Sequence, residues 1–214
     1  MVVSKLKNDG LIFDLDGTLW DSTAACADAW NDALVRLRLE AQAFSAKDVE
    51  KIMGMPHKKV FETLFPQHQE ETREKIATEF YEREIEAVQG EGAFLYPGVE
   101  EGLRNLHQHF PLYLVSNCQP DYLQVFLELT RFHSLFKDME CHGNTGLSKA
   151  ENIKRVVERN GLKRAVYIGD TSGDHDSANQ AGIGYVHVNY GFGRSLGPCQ
   201  SFDSFSELVR YFLA

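Results

Sequence analysis

Asp14-Leu15-Asp16-Gly17-Thr18 follows a short apolar run, Leu11-Ile12-Phe13. On an extended segment, carboxylates spaced i and i+2 point the same way. Gly17 permits a sharp turn after them. The C-terminal end of a parallel strand is where open α/β sheets gather their binding groups. Two acids there suit a hard cation, and equally suit a pair in which one attacks and the other moves a proton. By itself the segment is also an ordinary strand end with an Asp-Gly turn.

Three further segments carry chemistry. Leu114-Val115-Ser116-Asn117 ends another apolar run. A hydroxyl there, with backbone N–H groups beyond the strand, can hold a phosphate oxygen. Ser148-Lys149-Ala150-Glu151 has the spacing of a capping box, which puts Lys149 in the first turn of a helix. A cation opposes the helix dipole there and concentrates positive potential on any bound anion. Ile168-Gly169-Asp170-Thr171, followed by Asp174, ends a third apolar run and adds two more carboxylates.

The elements that must position these groups alternate. Gly10–Asp14, Pro111–Ser116 and Ala165–Gly169 read as strands, with Lys137–Cys141 and Gly184–Val188 as weaker ones. Val99, Leu103, Leu106 and Phe110 recur at helical spacing, as do Ile153, Val156 and Val157. Alternation of this kind implies a parallel sheet with helical crossovers, an α/β, Rossmann-like core. Residues 21–92 break it and read as helices only. Asp21 or Ser22 can cap a first helix burying Ala25, Ala29, Ala33 and Leu37, and Ser45 a second. Gly54-Met55-Pro56 forces a break. A long charged helix over about 69–89 is expected to stop at Gly90-Glu91-Gly92. The expected organisation is a core of residues 1–20 and 93–214, with a small all-helical domain, 21–92, inserted after the first strand.

Together, in this order, the four segments resemble the haloacid dehalogenase-like superfamily of phosphatases and phosphotransferases. The resemblance covers nearly the whole chain, and the insertion is similar to the cap of its phosphoglycolate phosphatase-like branch. It implies a Mg²⁺-dependent phosphatase that hydrolyses a small phosphorylated metabolite through an aspartyl-phosphate. Asp14 would be the nucleophile and Asp16 the acid and base. Ser116, Asn117, Thr18 and Lys149 would hold the phosphoryl group. Asp14, Asp170 and the carbonyl of Asp16 would bind the metal, with Asp174 behind them. The acid at Asp16 speaks against a dehalogenase or a phosphonatase. A phosphomutase of the β-phosphoglucomutase type is the alternative, although Thr171 stands where such mutases carry an acid. A catalytically silent binding protein on the same fold is another. In similar caps the loop at Gly54-Met55-Pro56-His57-Lys58 contributes specificity, so Met55, His57 and Lys58 are candidate substrate contacts; a plain helix–helix turn with solvated His57 and Lys58 is the alternative, and Trp20 either lines the pocket or packs under the cap.

A net charge of −9 argues against nucleic acid or an anionic membrane as the main partner. Cys26, Cys118, Cys141 and Cys199 are widely spaced and read as free thiols of a reducing compartment. Residues 1–8 lack the apolar core of a leader, and no apolar run is long enough to span a membrane. The expected location is cytoplasmic.

Overall fold

The computed structural model describes residues 8–40, 43–91, 93–195 and 197–214. Residues 1–7, on which the leader reading rests, and Gly92 of the expected helix stop lie outside the described residues. The chain divides into two units, Met1–Asp21 with Leu95–Ala214, and Ser22–Phe94.

The first unit begins with β1 (Gly10–Phe13) and the short β2 (Trp20–Asp21). The chain returns to it at β3 (Phe94–Leu95), after the four helices α1 to α4 of the second unit. Then come α5 (Val99–His107), β4 (Leu112–Ser116), α6 (Tyr122–Thr130), β5 (Phe136–Cys141) and α7 (His142–Thr145). The remaining elements are α8 (Lys149–Arg159), β6 (Ala165–Gly169), α9 (Ser172–Ala181), β7 (Gly184–Val188), β8 (Gln200–Phe202) and α10 (Phe205–Leu213). Six strands form one parallel sheet in the order β5-β4-β1-β6-β7-β8. Strand β1 is central. The chain builds outward from it through β4 and β5, then crosses to β6 on its other side, so the ends of β4, β1 and β6 border a topological switch point.

Both faces of the sheet are covered, which explains the unbroken apolar runs in β1, β4 and β6. One face packs Ile12, Tyr113, Val115 and Tyr167 against Ile153 and Val156 of α8 and Ala178 of α9. On α10, Phe205 meets Phe13 at 6.1 Å between ring centres. Helix α5 buries Val99, Leu103 and Leu106 but ends at His107. Phe110, at the next helical step, instead closes a turn onto the Leu106 carbonyl and packs on Phe212. Strand β8 was not foreseeable from alternation, because it is a three-residue edge strand with none of its residues fully buried.

The second unit consists of α1 (Thr23–Arg36), α2 (Ala46–Glu50), α3 (His57–Leu64) and α4 (Glu70–Glu91). Ala25, Ala29 and Ala33 of α1 are buried, while Leu37 lies just past its end and is partly buried. The core is aromatic. Phe80 is ringed by Trp30, Phe61 and Phe65 at 5.4, 5.6 and 5.8 Å. The indole N–H of Trp30 donates to buried Glu84. Helix α4 ends at Glu91, within the expected Gly90-Glu91-Gly92 stop. Among the described residues no helix is long and apolar enough to cross a membrane.

Candidate active site

Strand β1 delivers Asp14 to the end of the sheet, where its N–H still bonds the Ile168 carbonyl of β6 at 2.9 Å. The chain then turns back at once. Gly17 takes a φ of +80°, and a Cβ on it would fall 2.3 Å from a carboxylate oxygen of Asp170. The position therefore needs glycine for both its backbone and its missing side chain. Because β1 ends at Phe13, the i, i+2 spacing no longer has strand geometry. Asp14 and Asp16 are held by different partners. Asp16 Oδ1 accepts from the Trp20 indole at 2.8 Å and the Tyr122 hydroxyl at 3.2 Å.

Lys149 opens α8 behind a complete capping box of Ser148 and Glu151. Its side chain is only 3 % exposed. Nζ donates to Asp14 Oδ2 at 2.8 Å and to Asp174 Oδ1 at 2.5 Å, and sits 5.8 Å from the Tyr167 ring centre. Burial and the helix dipole both disfavour an ammonium there, yet the charges of Asp14 and Asp174 outweigh burial and raise its pKa. Burial raises the Asp14 carboxyl to about 7, with Lys149 pulling it down and Asp174 pushing it up. Asp170 is raised well above the carboxylate range by burial, then by the charges of Asp174 and Asp14. In Asp174 burial is overcome by Lys149 and by hydrogen bonds from Thr171, and its pKa falls.

Asp174 has both oxygens engaged. Oδ1 takes Lys149, and Oδ2 takes the N–H groups of Asp170 and Thr171 and the Thr171 hydroxyl, at 3.2, 2.9 and 2.7 Å. Asp14 Oδ1 is buried without a hydrogen-bond partner. Carboxylate oxygens of Asp14, Asp170 and Asp174 lie within 4.8 Å of one another. An orphaned buried oxygen beside a second, strongly basic carboxylate fits a hard divalent cation, which prefers oxygen donors.

Ser116 is buried at the end of β4, the strand beside β1, and Asn117 is half-buried just beyond it. Thr18 is fully buried. Its hydroxyl points at Asp170 Oδ1, 3.4 Å away, and its carbonyl accepts from Tyr190 at 2.8 Å. In the helical unit Met55 lies between α2 and α3, partly buried against the aromatic core, and Lys58 pairs with Glu70 at 2.5 Å. His57 is the first residue of α3, and its side chain lies outside the described residues. All four cysteines are free thiols. Cys118 is made inert by burial and by its hydrogen bond with Cys141, both of which raise its pKa.

Sequence reasoning missed two supports. The segment after β7 closes over Asp170, whose Oδ2 accepts from the N–H groups of Phe192 and Gly193 at 2.7 and 3.4 Å. Gly191 permits this, since a Cβ there would lie 2.2 Å from the Gly17 carbonyl oxygen. The signal was present as Gly191-Phe192-Gly193 immediately past a strand. Tyr122 had no such signal, because it reaches Asp16 across 106 positions of sequence.

Residues 11–188 match the family model of the haloacid dehalogenase-like hydrolases. The chain belongs to that family and is an enzyme, a hydrolase. It is 27 % identical to the phosphoglycolate phosphatase of Psychrobacter arcticus over 221 residues, covering 95 % of both chains. It is also 27 % identical to the phosphoglycolate phosphatase of Salmonella paratyphi A over 242 residues, covering 97 % of this chain and 94 % of that one. The fold matches a haloacid dehalogenase-like family hydrolase from Streptococcus pneumoniae with a TM-score of 0.81 at 23 % identity, over 96 % of this chain and 98 % of that one.

Proposed function

We propose that this hydrolase is a divalent-cation-dependent phosphatase that cleaves a small phosphorylated metabolite through an aspartyl-phosphate on Asp14. The observation that carries the reading is the buried Lys149 ammonium bonded to Asp14, beside an Asp14 oxygen with no partner. A carboxylate nucleophile must approach a phosphate dianion, so positioning and neutralisation supply most of the catalysis. Lys149 supplies one positive charge at the attacking group. Ser116 and the Asn117 N–H hold a phosphoryl oxygen, and Thr18 braces Asp170. Asp16 gives a proton to the departing alkoxide and then takes one from the water that hydrolyses the aspartyl-phosphate. Asp14, Asp170 and the Asp16 carbonyl would hold Mg²⁺, which when bound adds positive charge against the phosphoryl oxygens. Asp174 keeps Lys149 and the start of α9 in place. The two phosphoglycolate phosphatase relatives make phosphoglycolate the first substrate to assay, within a panel of phosphorylated metabolites.

Release of phosphate from an aryl phosphate with Mg²⁺ tests the class. Activity is expected to vanish in EDTA and return with Mg²⁺. Ca²⁺ should inhibit, because its larger and looser coordination misplaces the attacking oxygen. Full activity in EDTA removes the cation from this proposal.

We propose further that the helical unit acts as a cap and that its loop at residues 54–58 selects the leaving group. Met55→Ala and Lys58→Ala should each lower kcat/KM on the best natural substrate by about tenfold, with an aryl phosphate changed less than about twofold. Equal effects on both substrates would make the loop structural.

A further inference from the structure

Asp16 sits on a tight turn, and a carboxylate that must give and then take a proton at one place needs a fixed orientation. Two donors from different elements supply it. The Trp20 indole N–H and the Tyr122 hydroxyl converge on the same oxygen, Oδ1, at 2.8 and 3.2 Å. Both side chains are themselves immobilised, at 1 % and 2 % exposure. Trp20 packs edge-on against Tyr122 and Phe126, with ring centres 5.5 and 5.0 Å apart. Trp20 is the first residue of β2 and Tyr122 the first of α6, so the turn after β1 and the helix after β4 are tied together through one carboxylate oxygen.

We propose that Trp20 and Tyr122 are positioning residues for Asp16, pinning Oδ1 so that Oδ2 carries the catalytic proton. A carboxylate oxygen has two lone pairs, and on Oδ1 both are occupied by these donors. Protonation there would force the Tyr122 hydroxyl to turn its own hydrogen away and change from donor to acceptor. The proton therefore belongs to Oδ2. In the first step the bond from phosphorus to the leaving oxygen breaks, its electron pair goes to that oxygen, and Oδ2–H protonates it as Asp14 bonds to phosphorus. In the second, Oδ2 takes a proton from water as the water oxygen bonds to phosphorus and the Asp14–phosphorus bond breaks. Asp16 ends protonated, as it began. The inference rests on the reading of Asp16 as acid and base.

The test is the rate of hydrolysis of the radiolabelled phosphoenzyme, followed by acid quench after rapid mixing, in a double-mutant cycle. Tyr122→Phe keeps the ring against Trp20 and removes only the hydroxyl. It is expected to slow hydrolysis about fivefold, the net worth of one hydrogen bond, and to lower kcat on an alkyl phosphate with KM unchanged. In the Asp16→Asn background, where hydrolysis is already slow, the same change should have no further effect. Trp20→Phe, checked for folding by its melting curve, should behave alike with a loss of about tenfold, its bond being the shorter. An equal loss from Tyr122→Phe in both backgrounds, or no loss in either, overturns the positioning role. If instead Asp16→Asn leaves phosphoenzyme hydrolysis at the wild-type rate, the acid and base reading fails, a separate outcome read from the same cycle.

Discussion

Asp14→Asn is expected to lower kcat by about 10⁴-fold or more, because an amide of nearly the same shape cannot form an acyl phosphate. Protein fresh from purification, with deamidation excluded by mass spectrometry, is the right material. Turnover near the wild-type rate would remove Asp14 as the nucleophile. The same variant has a second expected signature. The Asp14 carboxyl is raised by burial from 3.8 to about 7. The folded state thus binds a proton that the unfolded state releases over that window. Stability from this group is fully present below about 3.8 and is lost as pH rises through about 7. Asparagine has no such dependence. In EDTA, Asp14→Asn should therefore be more stable than wild type by about 1–3 kcal/mol at pH 8 and nearly equal to it at pH 4. Thermal melts at the two pH values read this directly. A gain that is the same at both would show that the carboxyl titrates normally.

Lys149→Met should be nearly as damaging to turnover, with kcat down by about 10³-fold or more, since it removes the positive charge bonded to Asp14, the proposed nucleophile. Its effect on the fold should be opposite in sign to that of Asp14→Asn. Lys149 is the cation that pulls Asp14 down and keeps Asp174 below the ordinary carboxylate range. Without it three buried carboxylates face one another. Breaking a buried pair by deleting one partner costs about 3–5 kcal/mol. The raised acids can escape part of that cost by protonating, so the loss should be smaller at pH 5 than at pH 8. Urea unfolding at the two pH values measures it. A variant as stable as wild type at pH 8 would mean that the cluster is not charged as described.

Much of the core was legible in the sequence because its signals are local. The apolar runs of β1, β4 and β6 are unbroken since both faces of a parallel sheet are covered. Each strand that ends in a candidate site residue ends in a visible change from apolar to polar. The capping box at Ser148 and Glu151 announces the helix that carries Lys149. Helix α4 was legible as a helix and in its end, because two glycines around Glu91 weaken the helix where it stops. Strand β8 was not legible, because an exposed three-residue edge strand has no periodicity to show.

What the sequence by itself determined is the set of residue types and the strand or helix end on which each one sits. Only the tertiary structure decided who holds whom. Lys149 reaches Asp14 across 135 positions of sequence, Tyr122 reaches Asp16 across 106, and Phe192 reaches Asp170 across 22. No local pattern encodes such pairings, because they arise when separate crossovers bring several loops to one edge of the sheet. The protonation states follow the same logic. Three aspartates that look alike in sequence, Asp14, Asp170 and Asp174, are driven apart by burial and by which of them receives the buried Lys149. Burial and neighbouring charge are properties of the folded chain alone.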